Sequence, residues 1–290
     1  MKYPKVLTLG SFRTEHALDG EVIIQEKIDG SQFRWGTEDG KHLKICSKNR
    51  EIQPEQAGMF KEGVEHLLSK WKSKSETFWC FGEFLQKPKH NTLKYDRIPK
   101  NHIVLFDVFS GDYMDRNTVE EYANIFDVDI IPEFHAGQIT KDDLLKFHNQ
   151  ESYLGGEKVE GIVIKNYNQI IEINGQVRPL FTKFVREEFR ERHTKNPDHK
   201  PLRATIEEWM QGFKTEARWE KAVQVLKEEG RLTGEPRDIG GLIKQVIKDI
   251  DEEEGDNIKE HLHKHYIRHI HAIATSRLAE WYKDKLLENI

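Results

Sequence analysis

Cysteine is scarce: Cys46 and Cys80 are the only two in 290 residues. That is too few for a disulfide framework, and their separation does not fit a zinc site. A reduced, cytosolic compartment is the expectation. No apolar run approaches the ~20 residues of a membrane span, and Met1-Lys2-Tyr3-Pro4 leads into no signal-peptide core. There is no phosphate-binding G-x-x-x-x-G-K-[ST] loop and no dinucleotide-binding G-x-G-x-x-G turn. G-x-S-x-G, H-E-x-x-H and paired C-x-x-C are missing as well, which removes the commonest hydrolase and zinc readings. An excess of positive charge is also lacking. With 45 Lys+Arg against 50 Asp+Glu the net charge is −5, so any polyanion must be held by a local basic cleft. No internal repeat or low-complexity tract occurs.

What is present is 37% hydrophobic residues under 33% charged ones, the balance of a chain with a real core and a charged surface. The first two thirds read mainly as strands. Val22–Lys27 is one, and 33–35 and 43–46 flank Asp39-Gly40, a hairpin signal. The runs 78–81, 103–106, 162–164 and 170–173 are further strands, the last near the turn Asn174-Gly175. Three helices interrupt them. One is expected over 57–72, with Phe60, Val64, Leu67, Leu68 and Trp71 on one face. The others are expected after the N-caps Asn117 and Thr140.

Beyond Asn196-Pro197 the pattern is helical. Ile206, Trp209, Met210 and Phe213 keep helical spacing, as do Trp219, Val223 and Leu226; the aromatics Trp209, Phe213 and Trp219 read as core, and breaks are expected at 234–236 and 254–256. The histidines His261, His263, His265, His269 and His271 read first as a solvated helix face and next as a phosphate-facing surface; a metal site comes last. The fold class is therefore α+β. A domain over 1–195 has antiparallel sheets flanked by helices, and an all-helical domain covers 196–290.

The chemistry-bearing residues sit at the ends of these apolar runs. Lys27 ends a strand and meets the turn Asp29-Gly30-Ser31. A strand end presents an amine rigidly, and lysine becomes a nucleophile once its pKa is lowered. Glu83 ends the run Phe81-Gly82-Glu83, Glu160 begins Glu160-Gly161-Ile162-Val163-Ile164-Lys165, and Lys183 lies in Phe181-Thr182-Lys183. Each alone reads as a solvated strand end; their order is the stronger signal.

That order resembles the covalent nucleotidyltransferase superfamily of ligases and mRNA capping enzymes, and within it the type-2-like ATP-dependent RNA ligases. Lys27-Ile28-Asp29-Gly30 matches the nucleophile motif I. Ser47-Lys48-Asn49-Arg50 resembles motif Ia, Phe81-Gly82-Glu83 motif III, and Leu105-Phe106-Asp107 motif IIIa. Residues 160–165 match motif IV and Lys183 matches motif V; Lys87 to Tyr95 is similar to a segment of these ligases.

The resemblance implies that Lys27 takes AMP from ATP and passes it to an RNA 5′-phosphate, which a 3′-hydroxyl then attacks. It makes Lys27 and Lys183 catalytic, Lys183 also lowering the Lys27 pKa by like-charge repulsion. It places Glu26, Ile28, Gln32, Lys48, Arg50, Glu83, Phe106, Glu160, Lys165 and Lys183 around the nucleotide. Glu83 would accept from the ribose hydroxyls, Phe106 would stack on adenine, and Lys165 with Lys183 would face the α-phosphate. Glu160 would hold Mg²⁺, with Mn²⁺ as the other candidate, and Gln32 its water shell. Lys48 stands where an arginine is common, so either it or Arg50 takes the motif Ia role. Val185 stands where several relatives carry a second motif V lysine, with Arg186 next to it.

The partners implied are ATP and RNA ends, with no membrane, for a monomer in the cytoplasm; ligases of this branch are often phage-encoded. An appended helical region without an OB-fold pattern favours RNA ligase over DNA ligase or capping guanylyltransferase. A catalytically dead RNA-binding relative is the remaining alternative.

Overall fold

The computed structural model describes residues 1–73, 76–173, 175–186 and 202–288. Strands β1 (Leu7–Thr8), β2 (Val22–Lys27), β3 (Ser31–Thr37) and β4 (Lys44–Ser47) lead to helix α1 (Lys61–Lys70). Then come β5 (Phe78–Phe84), β6 (Ile103–Ser110), β7 (Asp112–Tyr113), α2 (Arg116–Phe126), β8 (Asp129–Ile130), β9 (Glu133–Gly137) and α3 (Leu145–His148). The long hairpin β10 (Gly161–Ile173) and β11 (Gln176–Val185) follows, and then α4 (Leu202–Gln211), α5 (Glu216–Glu228), α6 (Ile239–Ala274) and α7 (Leu278–Glu288).

The strands form two sheets, ordered β1-β11-β10-β2-β9 and β4-β3-β5-β6-β7. Each is antiparallel apart from one two-residue parallel partner, β1 on β11 and β8 on β6. Strand alternation gives each sheet an outer apolar face. In the second sheet, Phe33 and Trp35 pack with Phe60, Val64 and Leu67 around α1 and with Val119, Ala123 and Phe126 of α2. In the first, Val22, Ile24, Ile162 and Ile164 pack against Leu144 and Phe147. Replacing one of these buried phenylalanines by alanine costs about 3–5 kcal/mol.

The inner faces meet each other. Tyr3 seals part of the seam: its ring stacks on Phe181 at 5.0–5.6 Å from Phe81, Phe106 and Phe181. Asp107 accepts hydrogen bonds there from the Tyr3 hydroxyl, from Tyr167 Oη at 2.8 Å and from Lys165 Nζ at 2.8 Å.

The Asp39-Gly40 hairpin forms as expected, β3 pairing with β4. Three local expectations change. The first helix begins only at Lys61, after two short turns, and Leu68 is exposed. The second is capped by Asp115, whose carboxylate accepts from Thr118 N at 2.9 Å, with Asn117 inside the helix. After Thr140 there is only a single turn before α3, the Thr140 hydroxyl donating to Asp143 at 2.6 Å. Residues 162–164 and 170–173 are one strand interrupted by a bulge between Asn166 and Ile170. Asn174 of the expected turn lies outside the described residues.

Two compact units result, Met1–Gln245 and Val246–Ile290. The expected boundary at 195/196 lies outside the described residues, and α4 and α5 belong to the unit that holds the sheets. There Ile206 and Leu226 are buried, Trp209 meets Phe213 edge-on at 5.0 Å, and Trp219, expected in the core, is exposed. The break at 234–236 is present, whereas α6 runs through Gly255. No helix among the described residues is long and apolar enough to cross a membrane. The α6 histidines form no metal-ligating cluster among the described residues.

Candidate active site

The site is built where the last residue of β2 meets the first of β10. Lys27 pairs with Gly161, and Glu160 immediately precedes it. The Lys27 ammonium donates to both Glu160 carboxylate oxygens, at 2.7 and 2.6 Å. Close strand approach requires glycine beside them: a Cβ on Gly161 would stand 2.5 Å from Phe184 O. Val163 pairs with Lys183 and Gln25, so alternation puts Lys27, Val163, Lys165 and Lys183 on one face of the first sheet.

Charge in this pocket is mutually restrained. Burial acts to lower the Lys27 pKa, but Glu160 more than offsets it, with Asp29 and Glu83 adding to the same side, so the net direction is upward. The expectation that Lys183 depresses Lys27 is therefore not met here; Lys183 acts on Glu160, favouring its carboxylate. Burial raises the Glu160 carboxyl against the pull of Lys27. Burial likewise pushes Glu83 up to about 8, with Lys27 opposing and Glu228, Glu160 and Asp29 adding to it. Glu83 faces Gln32 across the β3–β5 pair, and its Oε2 is buried without a hydrogen-bond partner.

The turn after Lys27 is tied to the segment at 91–95. Asp29 accepts from Thr92 N and Leu93 N, both at 2.7 Å, and its own N–H donates to Tyr95 Oη at 2.9 Å. Ile28 packs beneath the site with Leu85, Leu93, Tyr95 and Leu154, with Phe106 at the rim of the same cluster. Its side chain is therefore part of the core beneath the site. Alternation turns Glu26 to the other face of β2 from Lys27, where its carboxylate accepts from Tyr153 N at 3.1 Å. Burial holds that carboxyl up at about 7, and its Oε1 is buried without a partner.

Lys165, expected to face the α-phosphate, is buried, its Nζ donating to Asp107 Oδ2 at 2.8 Å and Phe106 O at 2.9 Å, 5.2 Å from the Phe106 ring centre. Its ammonium is engaged by the element that carries Phe106.

Motif Ia forms a turn closed by Ser47 N donating to Arg50 O at 2.9 Å. Arg34, which the sequence reading missed, donates to the backbone oxygens of Ser47 and Lys48 at 2.6 and 3.1 Å. Its signal was an inward-facing parity on β3, two residues from Gln32. The Lys48 side chain is exposed, while Arg50 donates to Glu228 O at 3.2 Å.

The residues on the Lys27 side fit the expected nucleotide: Glu83 Oε2, buried without a partner, can accept from a hydroxyl or amino group of a nucleoside. For the metal, no cluster of three or more ligating side chains exists among the described residues. Glu160 alone fits the habit of Mg²⁺, which takes one or two carboxylates and completes its shell with phosphate and water.

A family model described as RNA ligase matches residues 20–183, more than half of the chain. Comparison with curated proteins gives no match. Among solved structures, the chain is similar to Naegleria gruberi RNA ligase with PPi, at 17% identity and TM-score 0.47, covering 65% of this chain and 56% of that one. It is also similar to a mutant of that ligase with ATP and Mn, at 16% identity and TM-score 0.49, covering 65% and 57%. A further mutant, with AMP and Mn, matches at 16% identity and TM-score 0.46, covering 65% and 58%. The chain thus spans less than two thirds of the length of these ligases.

Proposed function

From the chain's membership in the RNA ligase family, we propose that it is an ATP-dependent RNA ligase that seals 3′-hydroxyl and 5′-phosphate ends through a lysyl-AMP intermediate. The observation that carries this reading is Lys27 held at 2.6–2.7 Å from Glu160, with Lys183 on the same sheet face.

In the first step Lys27 Nζ, having lost a proton, attacks the α-phosphorus of ATP. A P–N bond forms, the bond to the β-phosphate oxygen breaks, and pyrophosphate leaves. Lys27 starts as an ammonium locked on Glu160, so activation requires that this pair be broken. Glu160 is the residue that would hold Mg²⁺ or Mn²⁺, and the ion when bound supplies positive charge at the phosphates. Lys183 adds positive charge near Glu160, where charge develops at phosphorus. Glu83 offers its unpartnered oxygen to a ribose hydroxyl, next to Gln32. Phe106 offers a ring to adenine, kept in place from behind by Lys165 and Asp107. Of the motif Ia pair, Lys48 is exposed and Arg50 donates to Glu228 O; one of the two meets a phosphate or the ribose.

In the second step AMP passes to the RNA 5′-phosphate, and in the third the 3′-hydroxyl displaces it. Splitting one difficult transfer into easier ones is the gain of covalent catalysis.

The test is incubation with Mg²⁺ and α-labelled ATP or GTP, followed by denaturing electrophoresis, for wild type and Lys27→Ala. An acid-labile label from ATP alone, absent in the variant, is expected. Label from GTP would indicate capping chemistry. Sealing of all-DNA nicks in preference to RNA nicks would indicate a DNA ligase. Absence of label even after pyrophosphate treatment would indicate an RNA-binding protein without catalysis.

A further inference from the structure

Beyond the family match at 20–183, the C-terminal half of α5 reaches the turn that follows Lys27. Glu228 is buried and accepts from the Ser31 hydroxyl and, at 2.8 Å, from Gln224 Nε2. Gln224 also donates to Gly30 O at 3.3 Å. The Gly30–Ser31 turn is held from its other side too. Asn91 Nδ2 donates to Gly30 O at 2.9 Å, and a Cβ on Gly30 would meet Leu85 Cδ1 at 2.9 Å and Phe84 O at 3.0 Å.

His90 completes the network. Its Nδ1 accepts from Gln86 N at 3.0 Å, so its Nε2–H is the donor to Ser31 Oγ at 2.8 Å. Burial keeps this imidazole neutral, its pKa down at about 4. Ser31 thus receives from His90 and passes its own proton toward Glu228. The same helix end grips motif Ia: Arg50 Nη2 donates to Glu228 O, and Asn49 Nδ2 to Glu229 Oε1, each at 3.2 Å.

A buried carboxylate is a costly way to dock a helix, since its desolvation is recovered only through well-placed donors. Here one donor, Ser31, belongs to the four residues Ile28–Ser31 between Lys27, the end of β2, and Gln32 of β3, and the other, Gln224, itself holds Gly30 O. We propose that Gln224 and Glu228 are positioning residues for nucleotidyl transfer: they fix the Gly30–Ser31 turn and thereby the main chain that aims Lys27 and Gln32 at the nucleotide. The inference rests on the ligase reading above. It adds to the site a helix that lies outside the motifs.

The experiment measures the single-turnover rate of AMP uptake by the full chain as a function of ATP. Gln224→Ala/Glu228→Ala lowers the rate at saturating ATP by about tenfold or more, because small misplacement of reacting groups is expensive, and leaves the KM for ATP nearly unchanged. Glu228→Gln retains the rate, its amide oxygen still accepting from Ser31. Val223→Ala, an exposed position on the same helix, matches wild type. Ser31→Ala slows the step, and combining it with Glu228→Ala adds nothing further, as residues in one hydrogen-bond chain are non-additive.

A double variant at the wild-type rate overturns the proposal; so do additive effects of Ser31→Ala and Glu228→Ala, or a Glu228→Gln as slow as Glu228→Ala. Should wild type take up no AMP, it is the ligase reading that falls. Positioning is then read from amide hydrogen exchange at residues 30–32, which must quicken in the double variant; unchanged exchange overturns the proposal on that ground.

Discussion

At Lys27 burial and Glu160 act in opposite directions on the same proton. Burial disfavours the ammonium, and a carboxylate at 2.6 Å restores it. With the folded pKa raised, the amine is protonated at neutral pH and becomes nucleophilic only as pH rises toward that value. Removing the carboxylate leaves burial, the largest influence, opposed only by the smaller pulls of Asp29 and Glu83, so the pKa falls. Glu160→Gln therefore moves the pH midpoint for acylation of Lys27 by an amine reagent downward. At pH about 7.5 the variant labels several-fold faster than wild type, since one pKa unit is a factor of ten in neutral amine. Peptide mass spectrometry of the labelled protein reads this directly, and equal midpoints would show that Glu160 does not set the charge of Lys27. At this scale the sequence singled out Lys27, Glu83, Glu160 and Lys183 as candidates by their order along the chain, each at the end of or within an apolar run. It was silent on Glu228, whose partner Ser31 lies 197 positions away, since nothing local marks such a pair.

For elements, what was legible depended on whether the signal was periodic or a single residue. Short β-type apolar runs located β2, β3 and β5, and Asp39-Gly40 between two of them located the β3–β4 hairpin. Cap placement failed because two capping residues stand two apart, Asp115 and Asn117, and composition cannot choose between them. The geometry does: Asp115 is extended and accepts from Thr118 N, while Asn117 is already helical. Asp115→Ala should thus destabilise by about 1 kcal/mol, lowering Tm by roughly 2–4 °C for a unit of this size, and Asn117→Ala should leave it nearly unchanged. Scanning calorimetry of the two variants separates the assignments, and the reverse order would restore Asn117 as the cap. Gly255 misled in a related way. Glycine within a helix costs only about 1 kcal/mol relative to alanine, so without a proline or a cap beside it α6 continues through.

For the molecule as a whole, the last strand ends at Val185 and helices run from Leu202 onward, and α4 and α5 group with the sheets in the unit Met1–Gln245. Every residue placed around Lys27 lies in that unit, including Gln224 and Glu228 from beyond the sheets. A chain ended after Gln245 keeps the five apolar clusters of the sheet region. Such a unit, carrying its own core, is expected to fold alone and to take up AMP within about twofold of the full-length rate. The check is single-turnover labelling with α-labelled ATP, alongside circular dichroism to establish that the shortened chain is folded. A folded 1–245 chain that fails to take up AMP would assign part of the first chemical step to Val246–Ile290. A chain that labels normally but no longer seals RNA would instead place the contribution of those helices after AMP transfer, where the nucleic acid rather than the nucleotide must be held.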